Sequence, residues 1–228
     1  MYPVARSDER VIPSDYRGTV VTCDVDKTYL DTDFKTLRGL TQIPLEWAVD
    51  KSAVPGMVPL LQGIRHGPGP TSRQTPFFFL TASPPLLFRV LRRKMLLDGV
   101  QCDGIAGKDW HRILVRRRRP SWLKRQVAFK LCALLDRRKE MLPDAQEILI
   151  GDDMEADAFI YALYARFLEG ELSPSQLAAE AGAQGADEDE RAEVRHAATR
   201  AGDLPKKGVS HIYIYLAAQR PPAEIDAI

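Results

Sequence analysis

The chain has 228 residues, 45% of them hydrophobic and 28% charged, with a formal net charge of +1, which suits one domain with a full core. No apolar run approaches the roughly 20 residues needed to cross a bilayer, and the polar, charged start from Met1 to Arg10 is unlike a secretory signal. Three cysteines, Cys23, Cys102 and Cys132, are odd in number and far apart, so they read as buried thiols in a reducing compartment, with the cytoplasm expected, and not as a disulfide or zinc framework.

Residues 1–17 carry Pro3 and Pro13 among charges and read as a partly mobile lead-in; residues 18–228 are expected to form the domain proper. The first strand is Thr19 to Asp24 or Asp26, a β-branched apolar run leading into Asp24-Val25-Asp26-Lys27-Thr28. Residues 31–51 read as loop with a short helix, and Pro55 to Arg65 as a helix with proline near its start. Gly67 to Ser72 breaks the pattern. Pro76 to Ser83 is a second strand, apolar on both faces as a central parallel strand should be. A helix from Pro84 to Leu97 follows, with Leu87, Val90, Leu91 and Met95 at helical spacing.

A third strand is expected near Cys102 to Ala106. Then come the block Arg116-Arg117-Arg118-Arg119-Pro120 and a helix from an N-cap at Ser121 towards Leu142. Glu147 to Asp153 is the fourth strand, again ending in acids, and Ala156 to Glu169 the next helix. Residues 173–207 read as an insertion, helical in part, with a mobile loop from Ala181 to Glu190. Val209 to Ala217 is the last strand. This alternation predicts a Rossmann-like α/β three-layer sandwich with a mostly parallel five-stranded sheet. In such a sheet ligands bind at the strands' carboxyl ends, where Asp24, Asp26, Thr81, Asp152 and Asp153 all fall. Clustered carboxylates there repel unless a cation or a shared proton relieves them.

Charge is unevenly spread. Residues 89–139 hold 16 Lys/Arg against 4 Asp/Glu, and residues 140–203 hold 16 Asp/Glu against 4 Lys/Arg. The basic half is suited to an anionic partner such as lipid headgroups, or the two halves neutralise each other. His66, His111, His196 and His211 lack metal-binding spacing, and Gly67-Pro68-Gly69 precedes no helix start. Asp31 and Asp33 read as loop acids.

Asp24-Val25-Asp26-Lys27-Thr28, Thr81 after an apolar strand, a helix lysine, and Gly151-Asp152-Asp153-Met154-Glu155-Ala156-Asp157 resemble, in order, the four motifs of haloacid dehalogenase superfamily phosphatases. Phe78 to Pro84, Lys130, Leu142-Pro143, Ile148 to Asp152 and Ile160-Tyr161 are similar to the catalytic domain of actin-patch-type phosphatidate phosphatases. Thr-Ala-Ser-Pro stands where that group has a Ser-Asn-Ser-Pro-like second motif. Gly-Asp-Asp-Met-Glu-Ala-Asp stands for Gly-Asp-Ser-Gly-x-x-Asp, and Phe129 for a histidine.

The resemblance implies a phosphomonoester hydrolase using Mg²⁺, with phosphatidate a possible substrate. Asp24 is then the nucleophile, forming an aspartyl-phosphate, and Asp26 the proton donor and acceptor. Thr81 contacts phosphate oxygens, and Lys130 balances charge. Mg²⁺ would be held by the Asp24 carboxylate, the Asp26 backbone carbonyl and the Asp152 carboxylate, with Asp153 and Asp157 as further or water-mediated partners. Lys124 competes with Lys130, but only 22 positions separate Lys130 from Asp152, which fits a helix, a turn and a strand. The 52 residues between Thr28 and Thr81 and the 48 between Thr81 and Lys130 are largely used by core elements. No large cap domain is therefore expected, and the site should be open to a bulky substrate such as a lipid headgroup or a phosphorylated macromolecule, with peripheral contact to an anionic membrane expected for the former. The competing readings are a receiver-like phosphoacceptor domain and a non-catalytic module binding anionic lipid or nucleic acid, the nucleic acid being the less expected partner.

Overall fold

A computed structural model describes residues 1–13, 15–31, 52–115, 125–141, 144–201 and 208–217. Its centre is a sheet of strands β1 (Val4–Asp8), β2 (Thr19–Asp24), β3 (Phe77–Thr81), β4 (Gly104–Lys108), β5 (Gln146–Asp152) and β6 (Val209–Tyr215). The spatial order is β1-β4-β3-β2-β5-β6. All neighbours pair in parallel except β1, which runs antiparallel to β4. The helices are α1 (Met57–His66), α2 (Phe88–Leu97), α3 (Trp110–Val115), α4 (Val127–Arg138), α5 (Asp157–Leu168), α6 (Pro174–Ala183) and α7 (Glu188–Ala201).

Side chains alternate across each strand, so each inner strand feeds both faces. Phe77 and Phe79 of β3 pack with Val21, Cys23, Leu61, Leu91 and Met95 under α1 and α2. On the opposite face Leu80, Ala106 and Leu149 meet α4, α5 and the α6–α7 pair through Leu131, Tyr164, Leu177 and Val194. The result is the expected three-layer sandwich. β2 is buried along nearly its whole length, because it lies between β3 and β5 with helices above and below. Its last residue, Asp24, is therefore delivered into the interior.

Among the described residues the sheet has six strands where five were expected. The additional strand is β1, in the segment read as a lead-in. Its half-buried sequence Val-Ala-Arg-Ser-Asp has no apolar alternation, so nothing local marks it as a strand. The ladder to β4 and two ion pairs hold it, Arg6 to Glu140 at 2.6 Å and Arg137 to Asp8 at 2.7 Å. The third expected strand is shifted two residues on, to Gly104–Lys108.

Residues 174–201 form two helices packed on the core, and the loop expected from Ala181 to Glu190 is taken up partly by the ends of both. α6 starts with a capping box in which Ser173 and Gln176 satisfy each other's backbone N–H groups. The interval between β3 and α4 contains α2, β4 and α3. Residues 32–51, which include Asp33, lie outside the described residues, as do Ser121, Lys124 and the Arg116–Arg119 block. Cys23, Cys102 and Cys132 are free thiols.

Part of the charge asymmetry is resolved inside the fold. Arg125, Lys130, Arg138 and Arg200 each meet an acid of the opposite class: Asp187 and Glu190, Asp157, Glu147, and Asp136 respectively. Every one of these pairs joins residues 89–139 to residues 140–203.

Candidate active site

β2 ends at Asp24, and the chain then turns sharply. Lys27 takes a left-handed conformation with φ 64°, unusual for a non-glycine residue. The turn closes through Lys27 N–H to Leu30 O and Leu30 N–H to Val25 O, at 2.8 and 2.9 Å. It folds Asp26 and Thr28 back over the sheet edge. Thr28 Oγ1 donates to Asp152 Oδ2 at 3.1 Å, and Thr81 Oγ1 donates to Asp26 Oδ2 at 3.1 Å. Thr81 in turn accepts from the Ser83 backbone N–H at 3.1 Å. Three strand ends, β2, β3 and β5, are thus tied together by side chains read from the sequence.

The centre of the site is Lys130, one turn into α4 and fully buried. Its ammonium lies 2.7 Å from Asp24 Oδ1, contacts Asp157 Oδ1 directly and lies 3.6 Å from Glu155 Oε2. Asp157 opens α5 and accepts from Asp152 N–H at 3.3 Å through its other oxygen. Its approach to β5 requires Gly151: a Cβ there would fall 2.5 Å from Asp157 Cβ and Oδ2. The turn from β5 into α5 closes on Asp152 Oδ1, which accepts from Met154 N–H at 2.5 Å and Glu155 N–H at 3.0 Å. Ala156, left-handed at φ 63°, completes the reversal, so Glu155 returns towards Asp152.

Among the described residues, carboxylate oxygens of Asp24, Asp152 and Glu155 lie within 4.8 Å of one another. Asp153, Asp157 and Asp26 lie outside this trio. Asp153 N–H instead donates to Tyr215 O at 3.2 Å, and both Asp157 oxygens are engaged as above. Glu155 is the residue the sequence reading passed over. The signal available was its place three residues after Asp152 in a turn, a spacing that returns one carboxylate to the other once the turn closes.

Burial sets the electrostatics. It pushes the Asp24 carboxyl well above its ordinary range; the Lys130 ammonium opposes this, while Asp157, Glu155 and Asp26 reinforce it. Burial likewise pushes Asp157 up to about 6 against Lys130, and raises Asp152 despite Lys130, the Met154 N–H and Thr28. For Lys130 burial works towards the neutral form, but Asp157, Asp24 and Glu155 outweigh it and hold the ammonium charged. Four carboxylates thus face one ammonium. Asp24 Oδ2 has no hydrogen-bond partner among the described residues. An oxygen-only donor set with excess negative charge fits a hard divalent cation such as Mg²⁺.

The start of α4 is braced from a different quarter. Arg125, two residues before the helix, pairs with Asp187 at 2.9 Å and with the buried Glu190 at 3.0 Å. Its carbonyl accepts from Lys108 Nζ. Lys108 ends β4, is fully buried, and holds its ammonium 5.7 Å from the Phe129 ring centroid.

Burial pulls the Lys108 ammonium down to about 7; Glu190 and Glu155 oppose this and Lys130 adds to it. Between about pH 7 and the ordinary lysine value of 10.5, the folded chain therefore binds fewer protons than the unfolded chain, so stability rises with pH there. Lys108→Met should remove that rise and gain on the order of 1 kcal/mol or more near pH 7, after about 1 kcal/mol is lost with the donor to Arg125. Urea unfolding at pH 7 and pH 9.5 reads this directly, and equal pH slopes for both proteins would refute it.

A model of the family described as phosphatidate phosphatase APP1, catalytic domain, matches residues 19–173. Searches of curated proteins and of solved structures found no significant match. The matched span starts at β2 and runs to the cap of α6, taking in Asp24, Asp26, Thr81, Lys130, Asp152, Glu155 and Asp157. Since it covers 155 of the 228 residues, the chain belongs to the family of the phosphatidate phosphatase APP1 catalytic domain.

Proposed function

We propose that the chain is a Mg²⁺-dependent phosphomonoester hydrolase of the haloacid dehalogenase type, acting on phosphatidate or a closely related phospholipid. The observation that carries this reading is Asp24 at a strand's carboxyl end, 2.7 Å from a buried lysine, beside Asp152 and Glu155. Asp24 Oδ2 attacks phosphorus in line with the ester oxygen, and the P–O bond to the alcohol breaks as the aspartyl-phosphate forms. Asp26 gives its proton to the departing oxygen. It then takes a proton from the water that attacks the aspartyl-phosphate and releases inorganic phosphate.

Thr81 hydrogen-bonds Asp26 in the resting site and is placed to turn its hydroxyl to a phosphate oxygen. Lys130, pinned by Asp157, holds Asp24 in one orientation and offsets the charge gathered there. Asp24, Asp152 and Glu155 would hold the cation, with the Asp26 carbonyl; a bound Mg²⁺ supplies positive charge to the transferring phosphoryl group. Work in the cytoplasm, at a membrane surface, is part of the same proposal.

Phosphate release should be measured from phosphatidate in mixed micelles and from a soluble aryl phosphate, with Mg²⁺ and with chelator. Release that requires the cation and favours phosphatidate by tenfold or more is the expected result. No release from any phosphomonoester in the presence of Mg²⁺ would sink the reading. Stable labelling of Asp24 by a small phosphodonor without turnover would instead make the chain a phosphoacceptor domain.

A further inference from the structure

The helix that leaves the site carries an outer face that the catalytic reading does not use. β3 ends at Thr81, and after Ser83 the chain passes through a 3-10 turn, Pro85–Leu87, into α2. The inner face of α2 buries Phe88, Leu91 and Met95. Its outer face, together with the 3-10 turn before it, presents Leu86, Leu96 and Leu97 at 61, 79 and 60% exposure, with the exposed Arg89 and Arg93 between them.

The positions 86, 89, 93, 96 and 97 follow helical spacing, so they form one continuous stripe about 16 Å long. The neighbouring cations of α2 are spent: Arg92 pairs with Glu9 and Lys94 with Asp98. Arg89 and Arg93 have no ion pair among the described residues.

Where the stripe ends, a groove of about 920 Å³ continues it, lined in part by Arg10, Arg65, Arg92 and Arg93 against Glu9 and Asp103. Cations outnumber anions along this whole side. Three large exposed aliphatic side chains on one short helix and the turn that leads into it are costly in water and are rewarded at the boundary of headgroups and acyl chains, where adjacent arginines meet lipid phosphates.

We infer that the outer stripe of α2 is the docking surface for a bilayer containing anionic phospholipid, with Leu86, Leu96 and Leu97 inserting and Arg89 and Arg93 contacting headgroups. This rests on the phospholipid-phosphatase reading for its purpose, and it adds the geometry of access. Leu86 lies five residues beyond Thr81 at the carboxyl edge of the sheet, so the near end of a docked α2 brings the membrane surface beside the site, while Leu96 and Leu97 hold the far end. A lipid phosphomonoester could then enter without leaving the bilayer.

The test is sedimentation of the full chain with vesicles of phosphatidylcholine alone and with added phosphatidylserine, which is not a phosphomonoester and so does not report on the catalytic site. Wild type should partition onto the anionic vesicles, less so at high salt. Leu86→Ser/Leu96→Ser/Leu97→Ser should lower partitioning by about 100-fold, and Arg89→Glu/Arg93→Glu by about 10-fold or more with most of the salt dependence lost.

Hydrolysis of a monomeric short-chain phosphatidate should stay within about twofold in both variants, since neither changes a residue of the site. Equal vesicle binding by wild type and both variants overturns the inference. So does a wild-type dimer that the leucine variant converts to monomer without changing vesicle binding, which would make the stripe a contact between copies of the chain. If vesicle binding follows the expected pattern while no phosphomonoester is hydrolysed, the docking surface stands and the phosphatase reading falls.

Discussion

Asp24→Asn is expected to reduce phosphate release by about 10⁴-fold or more while leaving the fold intact. The amide cannot form the acyl-phosphate bond through an oxygen that carries charge, so the first of the two displacements loses its nucleophile, an effect of the size seen when covalent nucleophiles are removed elsewhere. The same substitution is gentle structurally. Asp24 is fully buried, and burial already disfavours its ionised form, so a neutral side chain of the same shape removes a repulsion from the acidic group. Lys130 keeps Asp157 and Glu155 as partners. Thermal unfolding should therefore show a variant at least as stable as wild type, in the same preparation that shows no turnover. Activity within tenfold of wild type would eliminate Asp24 as the nucleophile, and collapse of the fold would mean that the Asp24–Lys130 pair is structural first.

The legible part of this protein was the part written in local pattern. The β-branched run before Asp24, the apolar Phe77–Leu80 and the Ile148–Ile150 run each announce a central strand, and each is central in the sheet. Their carboxyl ends gather Asp24, Thr81 and Asp152 because parallel strands share one edge. The choice of Lys130 over Lys124 rested on a chain-length argument, and Lys130 does reach Asp24.

What was not legible depends on partners far away in the sequence. β1 is polar and becomes a strand only because β4 offers an open edge and because Arg6 and Arg137 bind its end. The α6–α7 pair lacks bulky apolar residues: its buried face is mostly alanine with Leu177 and Val194, a face that reads as solvent-exposed until α4 and α5 are packed against it. The Ser173–Gln176 capping box was the one local sign of α6. Glu155 and Lys108 escaped for a related reason. The spacing of the first from Asp152 tells only once the turn is known to close, and the second is unusual only through its burial at the end of β4.

Lys130→Met is expected to abolish turnover and to destabilise the chain by about 3–5 kcal/mol, and the two losses should be separable. The methionine fills the lysine's space without its charge, so no cavity term enters. What remains is a fully buried Asp157 that has lost its direct ion partner, with Asp24 and Glu155 nearby and no other ion pair to any of the three among the described residues; uncompensated buried charges of this kind cost several kcal/mol. If the deficit is electrostatic, the double substitution Lys130→Met/Asp157→Asn should recover half or more of it, because the amide still accepts and donates where the carboxylate stood but carries no charge. Turnover should not recover with it. In the proposed mechanism the lysine offsets the charge of nucleophile and phosphate together, and neither replacement restores that. Urea unfolding in chelator, so that added cation does not stand in for the ammonium, measures the stability of the three proteins, and phosphate release with Mg²⁺ measures their activity. Stability and activity rising together in the double variant would place the role of Lys130 in folding alone. Recovered stability with turnover still absent puts it among the groups that act on the transferring phosphoryl.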